Sequence, residues 1–186
     1  MKLVDIKKKY EGKYLTYYIA SYLNNDNKIK EYEFVSRNKN LTIEEFGNIK
    51  TNGVAILAFD DSERILLEKE YRLACNNWIY SFPAGLIDEG ETIDMAAKRE
   101  LFEETGLELY DIKGTLPPVY SSIGISDDSL TTVIGKARGE IKDSCFVDEE
   151  IKASWYTKEE CKKLLEGSNL SARCQMFLYM WIGGLL

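Results

Sequence analysis

The sequence predicts an α/β protein, in the broad sense that includes α+β folds, in which antiparallel strands come first and strands and helices share the rest. Three observations indicate this class. Segments rich in Tyr, Ile and Val fill the N-terminal part, apolar runs bounded by turn residues continue to residue 85, and apolar residues recur at helical spacing from residue 92. The 186 residues, 45% of them apolar, suit one ordinary domain with a small extension.

The N-terminal segment predicts an antiparallel hairpin. KYLTYYIASYL (13–23) and KIKEYEFVSR (28–37) carry the β-branched and aromatic residues that are typical of strands. Between them, NNDN (24–27) has the composition of a turn.

A second hairpin is predicted further along the chain. VAILAFD (54–60) and RILLEKEYR (64–72) are its strands, and the residues between them are typical of a turn. WIYSFPAG (78–85) then predicts a short strand that ends at Pro83.

The segment from Thr92 to Thr105 predicts a helix. Its apolar residues recur at helical spacing, and they are Ile93, Ala96, Ala97 and Leu101. Gly106 follows where a glycine commonly ends a helix.

The C-terminal part predicts two more strands and two more helices. The strands are expected at 129–137 and 150–156, and the helices at 158–166 and about 171–182. Thr157 and Glu160 have the spacing of a capping box, which marks the start of the first of these helices.

Charge and composition exclude several classes of function. The net charge of −7 argues against nucleic-acid binding, which needs a clustered basic face, and against attraction to an anionic membrane surface. The absence of histidine excludes Ser-His and Cys-His nucleophile pairs and imidazole metal ligands. The four cysteines are widely spaced and are predicted to be reduced thiols of a cytoplasmic protein. No signal peptide or membrane-spanning segment is predicted.

Three glutamates, Glu100, Glu103 and Glu104, lie within five residues of the predicted helix. Their i, i+3 and i+4 spacing places them on one helical face, where like charges repel each other. Hard divalent cations such as Mg²⁺ prefer oxygen ligands of this kind. The alternative is a solvated acidic face, which is the usual meaning of an isolated charge run.

The glutamates belong to a longer pattern between residues 85 and 107. GLIDEGETIDMAAKRELFEETGL gives G-x5-E-x7-R-E-L-x-E-E-x-G-L, which resembles the Nudix box at every fixed position. The resemblance implies a Nudix-fold α/β/α sandwich with a mixed sheet over residues 49–186. It also implies that residues 1–48 form antiparallel strands that serve dimerisation and substrate binding.

The same resemblance implies the chemistry of the box. Family members hydrolyse a nucleoside diphosphate linked to another group, with Mg²⁺ as the expected cofactor and Mn²⁺ as the alternative. The implied metal ligands are the backbone carbonyl of Ala84 and the side chains of Glu100, Glu103 and Glu104. Arg99 is expected to pair with Glu91 and to steady the loop beside the helix, and these two residues count with Glu103 as catalytic.

The flanking segments resemble the ADP-ribose pyrophosphatase subfamily. EKEYR (68–72) resembles its Q-x-R strand, with Glu70 in place of the commoner glutamine, and this match directs Arg72 toward the diphosphate. SSIGISDDS (121–129) resembles its S-P-G-x-S loop, with Ile123 in place of the proline. That departure leaves other nucleoside-diphosphate sugars, such as UDP-glucose, as alternative substrates.

YEFVSR (32–37) resembles an aromatic-Glu-x-x-x-Arg segment of the subfamily. By that match Tyr32 stacks on the nucleobase, Glu33 contacts the edge of the base, and Arg37 reaches the phosphates. The alternative is that Tyr32 and Val35 are packing residues of a strand.

VDEEIKASWYTKEE (147–160) resembles the acidic loop that supplies the general base in this subfamily. Glu149 is the first candidate, with Glu150 and Asp148 behind it, and the alternative is an ordinary loop acid. A carboxylate in this role must lie within hydrogen-bond reach of the attacking water.

Taken together, these matches predict hydrolysis of ADP-ribose to AMP and ribose 5-phosphate by a homodimer whose N-terminal strands exchange between subunits. The first alternative is the same reaction on another nucleoside-diphosphate sugar. A second alternative is a module that senses a nucleotide without cleaving it, although such a module is expected to lose the metal-binding acids that are present here.

Overall fold

The computed structural model of the chain describes residues 1–145 and 150–185. The chain divides into two compact units. The first comprises Met1–Asn52 and Pro118–Leu130, and the second comprises Gly53–Pro117 and Thr131–Leu186. A segment from the middle of the chain therefore belongs to the N-terminal unit.

A three-stranded antiparallel sheet forms the first unit, with β1 (Lys2–Glu11), β2 (Thr16–Leu23) and β3 (Ile29–Ser36) in that order. The predicted hairpin is confirmed, because β2 pairs with β3 from Thr16↔Ser36 to Leu23↔Ile29. Strand β1 was not predicted. Six of its ten residues are charged and most are exposed, so the strand has little of the apolar alternation that marks a strand in a sequence.

The core of this unit is aromatic. Tyr18 and Phe34 are buried and stacked, with ring centroids 5.6 Å apart, and Phe34 stacks in turn on Phe46 at 4.7 Å. The hydroxyl of Tyr18 donates to the backbone carbonyl of Asn38 (2.8 Å). The middle segment joins this unit through the backbone N–H of Val35, which donates to the carbonyl of Ile125 (2.9 Å).

The second unit is built on a mixed sheet. Its main strand order is β11-β5-β4-β10-β8, with β6 paired to β5 and β7 paired to β4. The bounds are β4 (Gly53–Phe59), β5 (Ile65–Arg72), β6 (Asn77–Ser81), β7 (Ala84–Leu86), β8 (Glu108–Thr115), β10 (Ser129–Arg138) and β11 (Ile151–Tyr156). A two-residue strand, β9 (Val119–Tyr120), pairs with Ser129 and Leu130 in the first unit. The predicted strands are present, although the strand predicted to end at Pro83 ends at Ser81, and β7, β8 and β9 are additional.

The α-helices of the described chain are α1 (Ile93–Thr105), α2 (Lys158–Gly167) and α3 (Ala172–Ile182), and all three were predicted. Gly106 ends α1 with φ +75°, a conformation that glycine adopts without strain. The predicted capping box of Thr157 and Glu160 opens α2. Across residues 1–145 and 150–185, no helix is long and apolar enough to cross a membrane.

Alternate residues of the central strands face opposite layers of helices. Ile56 and Leu66 pack with Leu101 of α1, whereas Leu57 and Leu67 belong to the cluster that packs against α2 and α3. This alternation follows from the two-residue period of a strand. The second unit is therefore an α/β/α sandwich, as predicted.

The burial of the cysteines leads to a labelling prediction. Cys161 and Cys174 are buried between α2, α3 and the sheet, and burial raises the pKa of both thiols to about 12. Cys75 and Cys145 are exposed, and all four are free thiols. We expect iodoacetamide to modify Cys75 and Cys145 in the native protein and the other two only after unfolding, because the thiolate is the reactive form. Peptide mapping by mass spectrometry checks this, and rapid native labelling of Cys161 or Cys174 would contradict it.

Candidate active site

The three box glutamates lie on α1 where the helix packs against the sheet. Glu100 and Glu104 are each only 7% exposed, and Glu103 is half-buried. Ala97 and Leu101, on the same helix, are fully buried and fix α1 to the sheet. Two of the acids are therefore held below the protein surface instead of forming a solvated face.

Arg99 connects α1 to the loop that precedes it. Its guanidinium binds Glu91 through two contacts, from Nε to Oε1 and from Nη2 to Oε2, each of 2.8 Å. Nη2 also donates to the carbonyl of Leu86 (2.9 Å), and Nη1 contacts Glu100 (2.9 Å) and Glu103 (3.0 Å). These bonds lower the pKa of Glu91 to about 2 and raise that of Arg99. The predicted Arg99–Glu91 pair is present.

Gly85 lets Glu100 lie directly against strand β7. A β-carbon at position 85 would stand 1.9 Å from the carboxyl carbon of Glu100, a separation that no pair of unbonded atoms allows. Burial raises the pKa of Glu100, partly offset by the hydrogen bond and charge of Arg99. The first glycine of the box is thus required by the position of the carboxylate.

Glu104 faces the sheet. Its Oε2 accepts a hydrogen bond from the backbone N–H of Ala84 (3.2 Å). Its pKa is raised above the usual range, first by burial and then by the charges of Glu68 and Glu100. The side chain of Glu104 is also hydrogen-bonded to that of Glu68, a residue of β5 that is 1% exposed.

Glu68 was not predicted as a site residue. The signal in the sequence was its position directly after the apolar run ILL (65–67), and in the structure the first four residues of this strand are all buried. The resemblance to the Q-x-R strand instead predicted Arg72 as a site residue, with Glu70 in place of the glutamine. In the structure, Arg72 pairs with Glu70 at 2.6 Å.

The arrangement of the box fits a divalent cation. Four oxygen donors that suit Mg²⁺ or Mn²⁺ come from α1 and β7, namely the carboxylates of Glu100, Glu103 and Glu104 and the carbonyl of Ala84. Among the described residues no three acids or cysteines already form a metal-ligating group, and Arg99 holds two of the glutamates.

The predicted nucleoside-binding residues lie in the first unit. The hydroxyl of Tyr32 donates to the carbonyl of Gly124 (2.9 Å), and Arg37 pairs with Asp128 (3.3 Å). Glu33 is exposed and hydrogen-bonds to Tyr17. Tyr32 and Ile123 line a cavity of about 520 Å³ in this unit.

The remaining predicted residues are the candidates for the general base. Glu149, the first candidate, and Asp148 lie outside the described residues. Glu150 is described and exposed, and its backbone carbonyl accepts a hydrogen bond from the N–H of Tyr71 (3.0 Å).

Comparison with known proteins indicates the family to which the chain belongs. The sequence model of the NUDIX domain matches residues 49–174, which is more than half of the chain. The chain is 29% identical to the ADP-ribose pyrophosphatase of Bacillus subtilis over 115 residues, covering 61% of this chain and 62% of that protein. It is 31% identical to the ADP-ribose pyrophosphatase of Saccharomyces cerevisiae over 148 residues, covering 72% and 64%. The matches thus span less than two thirds of these relatives.

The fold has a solved counterpart. A crystal structure of an ADP compounds hydrolase superposes with a TM-score of 0.75 at 17% identity, covering 99% of this chain and 95% of that one. An α/β/α sandwich with a complete box on its first long helix defines the class of protein. The chain belongs to the Nudix family.

Proposed function

We propose that the protein hydrolyses the diphosphate bond of ADP-ribose, with Mg²⁺, to give AMP and ribose 5-phosphate. The observation that carries the proposal is the set of box carboxylates held between α1 and β7, with Glu100 seated on Gly85. The similarity to ADP-ribose pyrophosphatases of two organisms supports the choice of substrate.

Each residue has a distinct part in this reaction. Glu100, Glu103, Glu104 and the Ala84 carbonyl would hold the cation, and Arg99 with Glu91 would fix the loop beside α1. When bound, a divalent cation offsets the charge of the diphosphate and lowers the pKa of a water molecule. Water adds to one phosphorus, the bond from that phosphorus to the bridging oxygen breaks, and the leaving phosphate takes up a proton.

Substrate binding and proton transfer fall to residues outside the box. Arg72, oriented by Glu70, would bind the diphosphate, because a guanidinium matches the geometry of phosphate oxygens. Tyr32, Glu33 and Arg37 would bind the nucleoside and its phosphate. Glu149 would accept a proton from the attacking water, a role that requires hydrogen-bond reach to that water.

A second substrate class is favoured by one observation. Ile123 stands where the resembling loop has proline, and the residue is 84% exposed at the cavity that Tyr32 also lines. A different residue at this position changes the surface offered to the substrate. Nucleoside-diphosphate sugars such as UDP-glucose are therefore the alternative substrates.

The test is a product assay on ADP-ribose and UDP-glucose with Mg²⁺. We expect release of AMP and ribose 5-phosphate, lost in Glu104→Gln and kept in Glu166→Gln, which changes an exposed acid of α2. Faster turnover of UDP-glucose would favour the alternative substrate. Binding of ADP-ribose without turnover of either compound would reject hydrolysis and indicate a nucleotide sensor.

A further inference from the structure

Glu68 lies inside the sheet rather than at its edge. Ser81 of β6 is its partner on one side and Ala153 of β11 on the other, and only 1% of the residue is exposed. The three residues before it on β5, Ile65 to Leu67, are fully buried and apolar. A carboxyl group at this position is therefore surrounded by the core of the second unit.

The direction of the side chain follows from the alternation of β5. Leu66 belongs to the core cluster of α1 and Leu67 to the cluster of α2 and α3, so Glu68 returns to the α1 side. There its side chain is hydrogen-bonded to that of Glu104. Glu104 in turn is bonded to the N–H of Ala84, next to the carbonyl expected to bind metal.

Two carboxyl groups in contact within a protein core are costly. Burial of a charge carries a large desolvation penalty unless it is compensated, and like charges add to that penalty. An apolar side chain of similar volume at position 68 would pack in the same place without either cost. Residues that are unfavourable for packing in this way are typical of functional sites.

We propose that Glu68 is a further carboxylate ligand of the divalent-cation centre, contributed by the sheet opposite Glu104 of α1. A divalent cation between the two groups replaces their repulsion by attraction, and carboxylate oxygens are ligands that Mg²⁺ and Mn²⁺ accept. The inference rests on the proposed metal-dependent function, but not on ADP-ribose being the substrate.

The test measures metal binding directly, without substrate. The proteins compared are wild type, Glu68→Leu, Glu68→Gln and the control Glu166→Gln. Each is freed of metal and titrated with Mn²⁺, with the heat measured by calorimetry and the free Mn²⁺ measured by electron paramagnetic resonance. We expect both Glu68 variants either to bind Mn²⁺ at least about tenfold more weakly than wild type or to lose one bound ion. Changes around a metal site typically have effects of this size. The control should match wild type.

The melting temperature of the metal-free proteins distinguishes a metal ligand from a residue that only stabilises the fold. We expect metal-free Glu68→Leu to melt at or above the wild-type temperature, because it removes a buried acid. If Glu68→Gln binds Mn²⁺ within twofold of wild type and with the same number of ions, the proposal is wrong. It is also wrong if wild type binds no Mn²⁺, whereas normal Mn²⁺ binding with no cleavage of ADP-ribose would reject only the proposed substrate.

Discussion

Replacing Gly85 by alanine is expected to remove metal-dependent activity. The new β-carbon would stand 1.9 Å from the carboxyl carbon of Glu100, so the carboxylate must leave its place against β7. Glu100 would still be present, but it could no longer share a cation with Glu104. We expect Mn²⁺ affinity to fall roughly 10-fold to 100-fold, the range seen when the surroundings of a metal site are disturbed. Calorimetric titration with Mn²⁺ measures this directly.

Two controls make this experiment specific. Gly114→Ala changes a glycine of β8 that has open space around its would-be β-carbon, so it should leave Mn²⁺ binding and stability unchanged. The double variant Gly85→Ala with Glu100→Ala removes the clash along with the carboxylate. It should recover stability relative to Gly85→Ala while remaining inactive. Full activity of Gly85→Ala would show that Glu100 works from another position.

Leu101→Ala is expected to cause the largest loss of stability among single substitutions on α1. Leu101 is fully buried and packs with Ile56 and Leu66, so its truncation leaves a cavity between helix and sheet. Substitutions of this kind cost about 2–5 kcal/mol in the free energy of unfolding. Urea denaturation followed by circular dichroism measures the loss.

The neighbouring residue is the matched control. Phe102 is 59% exposed, and Phe102→Ala should change the free energy of unfolding by only about 0.5 kcal/mol, as is usual for surface positions. Equal effects at the two positions would contradict the packing described for α1. A loss at Leu101 should also weaken Mn²⁺ binding, since this residue holds the helix that carries the glutamates.

Local signals in the sequence were sufficient for much of the fold. Helix α1 was predicted from apolar spacing and Gly106, and α2 from a capping box, because these features depend on residues close in the chain. Strand β1 was missed because its charged residues hide the alternation, and β8 because charged residues and a glycine interrupt it. The addition of residues 118–130 to the first unit depends on long-range contacts, which no local pattern encodes.

The residues of the candidate site also fall into two groups, those that local sequence patterns predict and those that depend on long-range contacts. The fixed spacing of the box led to Glu91, Arg99 and the three glutamates. The ion pairs of Arg99 with Glu91, Glu100 and Glu103 lie within one helix and its preceding loop. Glu68 is more than thirty residues from Glu104 in the chain, and only the pairing of β5 within the sheet brings the two together. A pattern of types and spacings along one segment could not predict that contact.

Because successive residues of β5 face opposite layers, the register of this strand determines the position of the Glu68 carboxylate as well as the packing of the apolar residues. A shift by one residue would exchange the layers that Leu67 and Glu68 face, placing a carboxylate among the apolar residues of α2 and α3. Ladders with β6 and β11 hold Glu68 from both sides. Substitutions in the turn before β5 should consequently be tolerated far better than single-residue insertions or deletions, which would inactivate the protein while leaving every residue of the box in place.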